Sequence, residues 1–267
     1  MKLSVIIPSY NSMPYVTEAV ESVLSQLQPG DEIVVQDGAS TDGTLGVMQA
    51  FASRDERVKV ESQTDSGQSE ALNRALSRAV GDYVLWLNAD DVVSDGAIHK
   101  ARAEIRPIDT EMPDLVVGGH RTLDQSGNVI ATYRGRPLQH SRLMSLGCYV
   151  FSGSMLIEKT LLVRAGGFQD KFNYSMDLDL MLRLVSLRPS QAVIEEPIGA
   201  LRWHDASKSG SVGSRFATEA WRVRRLHSTG LPDLARSVAA FVRQSIALST
   251  IPLRHSRFYS KLRGSLR

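Results

Sequence analysis

Within its first ninety residues the chain alternates four short apolar runs with helix-spaced segments, and this rhythm constrains the fold more than any other feature. Residues 3–7 form an apolar run stopped by Pro8, the length of a buried strand. Ser12 is then placed to cap a helix, with Pro14 in its first turn. Val16, Ala19, Val20, Val23, Leu24 and Leu27 recur at helical spacing until Pro29-Gly30. Residues 32–36, 58–61 and 83–87 read as three further strands, and 44–52 and 69–80 as the helices between them. Repeated β-α-β units predict an α/β fold, a mostly parallel central sheet flanked by helices.

The rhythm changes after residue 114. Residues 115–118 read as a strand, and 120–123 and 129–133 as a hairpin around Asp124-Gln125-Ser126-Gly127-Asn128. A strand at 154–157, a short helix to Ala165, a helix over 177–187 and short strands at 192–194 and 199–203 complete a mixed α+β second half. Beyond Ser214 the pattern predicts two helices broken at Gly230. Leu231, Leu234, Val238, Phe241 and Leu248 form one stripe of the second helix, with Arg236 and Arg243 off it, and Pro252 is expected to end it. The reading divides the chain into a body, 1–213, and a basic helical C-terminal extension, 214–267.

Charge separates the same two parts. The net charge is +2, but residues 215–267 hold 11 Lys+Arg against 2 Asp+Glu, leaving 20 against 27 in residues 1–214. An acidic body suits cations, and a basic end suits an anionic partner. The single cysteine, Cys148, excludes an internal disulfide framework and a Cys-based zinc site. No apolar run reaches 18 residues, so no membrane-spanning helix is expected. The apolar run before Pro8 is too short for a signal-peptide core, and the expected location is cytoplasmic.

In open α/β sheets ligands collect at the carboxyl ends of strands. Four such ends carry polar groups here: Pro8-Ser9-Tyr10-Asn11, the Asp37–Gly43 segment, Thr64-Asp65-Ser66-Gly67 and Asn88-Ala89-Asp90-Asp91. The second and third are also ordinary turn and cap chemistry. The fourth is harder to reduce to a cap, because it sets two adjacent carboxylates at the mouth of a buried strand. Hard oxygen ligands of this kind suit Mg²⁺ or Mn²⁺ carrying a diphosphate. Neither a G-x-G-x-x-G after the first strand nor a G-x-x-x-x-G-K-[ST] is present, which leaves a Rossmann dinucleotide site and a P-loop without support.

These segments together resemble a known family. Ser4-Val-Ile-Ile-Pro-Ser-Tyr-Asn11, Val34-Val-Gln-Asp-Gly-Ala-Ser-Thr-Asp-Gly-Thr44, Thr64-Asp-Ser-Gly67, Leu72-Asn-Arg-Ala75, Gly81-Asp-Tyr-Val84 and Leu87-Asn-Ala-Asp-Asp91 are similar in order and spacing to the family 2 glycosyltransferases of GT-A fold. The resemblance covers about residues 3–210. It implies an inverting transfer of sugar from a nucleotide diphosphate sugar to an acceptor hydroxyl, in cell-surface polysaccharide or glycolipid synthesis. Residues 1–113 would then be the nucleotide-binding half and 114–213 the acceptor-binding half. By position, Pro8, Tyr10, Asn11 and Asp37 would serve the nucleotide pocket, with Asp65 beside them. Asp90 would approach the ribose, and Asp91 would hold the metal, Mn²⁺ or Mg²⁺. Asn88 stands where the family's Asp-x-Asp has its first carboxylate.

Gly166-Gly-Phe168 and Met176-Asp-Leu-Asp-Leu-Met-Leu-Arg183 are similar to the family's glycine-phenylalanine turn and acidic helix start, with Met176 in place of a Glu. The resemblance makes Asp177 the general base. Asp179 lies about 200° further round a helix and is read as a structural carboxylate paired with Arg183. His204 would sit near the diphosphate and the metal, and Ser207, Lys208 and Ser209 would form a lid. The expected partners are a nucleotide sugar donor, a glycan or lipid-linked acceptor and an anionic membrane surface met through 231–267, placing the protein peripherally on the inner face of the membrane; nucleic acid is not among them. Two alternatives are weighed. A nucleotidyltransferase would need basic groups after the first strand, where there are none. A catalytically silent nucleotide-sugar or glycan-binding protein is consistent with Asn88 and Met176.

Overall fold

The computed structural model describes residues 1–105, 111–204 and 213–249. The lid segment 207–209, the stop at Pro252 and the basic end 254–267 lie outside these residues. The first half follows the predicted alternation: β1 (Leu3–Ser9), α1 (Val16–Leu24), β2 (Glu32–Asp37), α2 (Thr44–Ala52), β3 (Val58–Ser62), α3 (Gln68–Arg78) and β4 (Tyr83–Trp86). Then come β5 (Val92–Val93), α4 (Ala97–Glu104), β6 (Leu115–Leu123), β7 (Val129–Tyr133), α5 (His140–Leu146), β8 (Met155–Glu158), α6 (Lys159–Arg164), α7 (Met176–Ser186) and β9 (Gln191–Arg202). Two helices follow, α8 (Gly213–Leu226) and α9 (Leu231–Ser249).

Among the described residues one nine-stranded sheet runs β3-β2-β1-β4-β8-β6-β9-β5, with β7 paired to β6. β1, β2, β3, β4, β6 and β9 point one way; β5, β7 and β8 oppose them. Side-chain alternation sorts the core into two layers, since successive strand residues face opposite sides. Leu3, Val5 and Ile7 of β1, Ile33 and Val35 of β2, and Tyr83 and Leu85 of β4 join α1 and α4 on one face. Ile6, Val34, Val84 and Trp86 join α3, α6 and α7 on the other. Burial on both faces explains why these strands read as continuous apolar runs.

Three local readings need correction. α1 begins at Val16, and no side chain caps it; the Ser12 carbonyl instead accepts the Tyr15 and Val16 N–H groups in a preceding turn. The pairs of short strands at 115–118 and 120–123, and at 192–194 and 199–203, are two continuous strands, β6 and β9. Their parallel register shifts at Gly118-Gly119, opposite Glu195–Pro197. This bulge interrupts the apolar pattern without ending either strand, and a Cβ on Gly119 would lie 2.6 Å from the Glu195 carbonyl oxygen. α5 and β5 carry too few apolar residues to stand out in the sequence.

The third correction concerns α9. The helix packs on α8 and α5, but it buries Asp233, Ser237 and Ala240. Of the stripe read from the sequence, Leu231, Leu234 and Val238 are exposed, whereas Phe241 is half-buried beside Trp221 of α8.

Candidate active site

A cavity of about 660 Å³ opens at the carboxyl ends of β1 and β4, within the range that takes a small-molecule ligand. It is lined by Pro8, Tyr10, Asn11, Asp65, Asn88, Asp90, Asp91 and His204. Three of the four strand ends named from sequence thus converge on one cleft, and the Asp37–Gly43 end stays outside its lining. Tyr10 stands at its rim, 66% exposed.

Asp37 is not among the lining residues. It is fully buried, and its carboxylate accepts the Ser40 N–H at 2.9 Å and the Ser62 hydroxyl at 2.7 Å. Asp37 thereby fixes the loop that opposes Tyr10. That loop is stitched to residues 11–13: Asn11 Oδ1 accepts from Thr41 N at 2.9 Å, Ser40 Oγ from Asn11 N at 2.9 Å, and Asp42 Oδ2 from Met13 N at 2.9 Å. Gly38 lets these loops close on the cleft: a Cβ there would lie 2.8 Å from Asp65 Oδ2 and 3.3 Å from the Tyr10 ring, and both side chains would have to shift.

The Asn88–Asp91 segment explains its own composition. Asn88 Oδ1 accepts from Gln68 Nε2 at 2.7 Å and from Trp86 Nε1 at 2.9 Å, while Asn88 Nδ2 donates to Asp91 Oδ2 at 2.9 Å. A carboxylate could do the first two but not the third. Asn88 therefore holds Asp91. The other Asp91 oxygen accepts the Arg202 backbone N–H at 2.8 Å. Burial first, and then the charge of Asp90, push the Asp91 carboxyl well above the ordinary carboxylate range.

Arg202 and two of its partners, Glu18 and Tyr15, escaped the sequence reading. The Arg202 guanidinium donates to the Asp90 carbonyl at 3.1 Å and to Glu18 at 2.6 Å, and lies over the Tyr15 ring at 5.2 Å. His204 packs on the other partner of this group: its ring centroid is 4.7 Å from that of Tyr15, and Nε2 lies 2.9 Å from Asp90 Oδ2. His204 thus meets Asp90 directly rather than Asp91. Gln68, Gln125 and Trp203 also line the cleft. The signal for Arg202 was its place at the end of a strand, beside Trp203-His204.

Asp177 stands in the first turn of α7, outside the lining of this cavity. Enclosure by the surrounding protein raises its carboxyl above the usual range, and hydrogen bonds from Leu178 N–H (2.7 Å) and the Cys148 thiol offset this only in part. Two clamps set α7 in place. Asn73 of α3 exchanges hydrogen bonds with the Phe168 backbone at 2.7 and 2.9 Å. Glu219 of α8 accepts the N–H groups of Asn173, Tyr174 and Ser175 at 2.9, 2.5 and 2.9 Å. Met176 is buried in the core and meets the Ser69 hydroxyl through its sulfur. Asp179 is structural, as read: it takes Arg183 Nε at 2.7 Å and His227 Nε2 at 2.9 Å.

A parallel half with an acidic cleft at its strand ends, joined through β8 to a mixed half, is the GT-A arrangement. The chain belongs to Glycosyl transferase family 2, whose profile matches residues 4–159. Over 90 residues it is 44% identical to a Bacillus subtilis protein provisionally named as the teichuronic acid biosynthesis glycosyltransferase TuaG, covering 33% of this chain and 36% of that one. Matches to other leading relatives span 27% to 41% of their lengths. Among solved structures, Staphylococcus aureus TarS 1–349 in complex with UDP-GlcNAc superposes with a TM-score of 0.69 at 22% identity, covering 97% of this chain and 78% of that one. The mannosyltransferase PcManGT of Pyrobaculum calidifontis, in complex with GDP-Man and Mn²⁺, gives 0.62 at 18% identity, covering 98% and 78%.

Proposed function

We propose that the chain is an inverting glycosyltransferase that moves a sugar from a nucleotide diphosphate sugar to an acceptor hydroxyl. The observation that carries this is the convergence of Pro8, Tyr10, Asp65, Asp90 and Asp91 from separate strand ends on one cleft of about 660 Å³. Tyr10, on its exposed rim, offers a ring face to a base. Asp65 and Asp90 offer carboxylates to sugar hydroxyls and to base N–H groups.

The donor set fits a divalent cation. Asp91 is a buried carboxylate that no side-chain cation touches by a hydrogen bond or ion pair among the described residues, and each of its oxygens accepts one hydrogen bond, leaving a lone pair. Among the described residues no three or more His, Cys, Asp or Glu side chains converge as a cage. Mg²⁺ and Mn²⁺ do not need one when a diphosphate supplies the remaining oxygens. Asp91 and Asp90 would hold such an ion, with His204 orienting Asp90, and the ion would supply charge stabilisation to the leaving diphosphate.

The protein's own part in the reaction is proton removal and alignment. Asp177 takes the proton from the acceptor hydroxyl as its oxygen attacks the anomeric carbon. A carboxyl raised above its usual value is better matched to that task near neutral pH. Attack from the side opposite the departing diphosphate inverts the centre. Residues 1–113 supply most of the donor cleft, joined there by Gln125 and the end of β9, and the rest of 114–213 serves the acceptor. A role in cell-surface polysaccharide or glycolipid assembly is part of this reading, supported on the polysaccharide side by the relative named for teichuronic acid, and a lipid-linked acceptor would place the chain peripherally on the cytoplasmic face of a membrane. On this reading Asn88 serves the site as the holder of Asp91.

A thermal-shift panel of UDP, GDP, dTDP and CDP, each with EDTA or Mn²⁺, tests the donor reading. One nucleotide should raise the melting temperature, and more so with Mn²⁺. Absence of any shift across the panel would refute it.

A further inference from the structure

The C-terminal hairpin α8–α9 is assembled in a sense opposite to that of a helix packed by its apolar face. Taking Leu231 as the origin and 100° per residue, the outward arc of α9 holds Leu231, Leu234, Ala235, Val238, Ala239 and Val242, all apolar and all exposed. The four larger ones are 82%, 41%, 49% and 50% exposed in chain order. The opposite arc, Asp233, Ser237 and Ala240, is buried on α8 and α5. A helix in water places its apolar stripe on the core; here the stripe is left for something else to cover.

Charge selects what covers it. The only acids in residues 215–267 are Glu219 and Asp233. Glu219 is spent on the backbone before α7, and Asp233 is buried against Thr229 and Arg236. The exposed charges on the two described helices are arginines: Arg215, Arg222, Arg225, Arg236 and Arg243. Residues 250–267 add five basic groups and no acid. A second copy docked face to face would set arginines against arginines, and the 250–267 segment folded over the stripe would do the same. An apolar surface fringed with negative charge matches both features.

We propose that the outward face of α9 is a footing on an anionic lipid bilayer, with its aliphatic side chains in the interface and the flanking arginines among the headgroups. The same hairpin grips the element that carries Asp177: Glu219 binds the backbone just before it, and His227 binds Asp179 just after it. Binding through α9 therefore fixes the base relative to the lipid surface, where a lipid-linked acceptor would present its hydroxyl, a consequence that rests on the transferase reading above.

The test is flotation of the full chain with phosphatidylglycerol-containing vesicles and with phosphatidylcholine vesicles, at low and high salt. The triple variant Leu234→Ser, Val238→Ser, Val242→Ser changes only exposed positions, and Val238→Asp is a second variant; far-UV circular dichroism and the nucleotide thermal shift report that each is folded. Wild type should float with anionic vesicles and be released by salt, and the triple variant should partition on the order of 10²-fold less. Lack of anionic vesicle binding by wild type, or equal binding by the folded variants, overturns the proposal. So does a wild-type dimer in sedimentation that the variant converts to monomer without any vesicle binding, since a second copy would then be the occupant. Vesicle binding without a nucleotide shift leaves the footing standing and counts against the transferase reading alone.

Discussion

Asn88→Asp is an isosteric change with a calculable cost. The new carboxylate keeps both acceptor contacts, to Gln68 and Trp86, but turns a donor 2.9 Å from Asp91 Oδ2 into a like charge. Losing a hydrogen bond to a charged group costs about 1.5–3 kcal/mol. At an effective dielectric of about 20, unit charges at that separation repel by about 6 kcal/mol. Protonation sets a ceiling: at about pH 7.5, holding a proton that the unfolded chain's carboxylate, of pKa near 4, releases costs about 5 kcal/mol. Side-chain rotation relieves part of this, so the expected net loss is about 2–4 kcal/mol, or roughly 6–12 °C in melting temperature for a chain of this size. The native pair then holds a proton that the unfolded chain releases, so the deficit shrinks as pH falls. Mn²⁺ should restore part of it, because the pair becomes a stronger cation site. Scanning fluorimetry from about pH 5.5 to 8, in EDTA and in Mn²⁺, reads all three effects. A melting temperature within about 2 °C of wild type in EDTA, or a deficit that grows on acidification, would refute the argument.

Two further substitutions separate positioning from support. Gly38→Ala drives a methyl against Asp65 and Tyr10, and should weaken nucleotide binding several-fold by calorimetry while leaving the melting temperature within about 2 °C of wild type, since both neighbours are side-chain atoms that can yield. Asp179→Asn leaves Arg183 and His227 without their carboxylate and should cost about 3 kcal/mol in denaturant unfolding, as loss of a partly buried ion pair does. Burial alone would raise Asp179, but the His227 and Arg183 hydrogen bonds outweigh it and hold its carboxyl below the usual value; its stabilisation is present above the unfolded carboxylate pKa and lost as pH falls through the lower folded one, a loss the variant should not show.

The parallel half was legible because a strand buried on both faces must be apolar throughout and must break where its loop turns polar. That marked β1, β2 and β4 and their ends, and hence most of the cleft. β6 and β9 were broken in the reading because Gly118-Gly119 and Glu195–Pro197 resemble loop residues, and only pairing shows that they face each other across a bulge. Arg202 was missed because nothing local distinguishes a buried arginine held by Glu18 and Tyr15 from a solvated one; its partners come from α1, more than 180 residues away in the sequence. Leu231, Leu234 and Val238 do share one side of α9, but Phe241 leaves that side for Trp221, and a helical wheel gives a face and not its direction. The direction is set by tertiary packing, which buries Asp233, Ser237 and Ala240.

The account stands on Asp177 as the base of a nucleotide-sugar transferase. The most direct measurement compares wild type and Asp177→Asn, using the donor nucleotide found by thermal shift, in calorimetric binding and in turnover across pH. Binding should be nearly equal, and the variant's turnover should fall by on the order of 10²–10⁴. The wild-type rate should be lost as pH falls through a value above the ordinary aspartate pKa, since the base must be ionised and its carboxyl is raised. Turnover at the wild-type level in Asp177→Asn, with the same acid limb, would contradict the account.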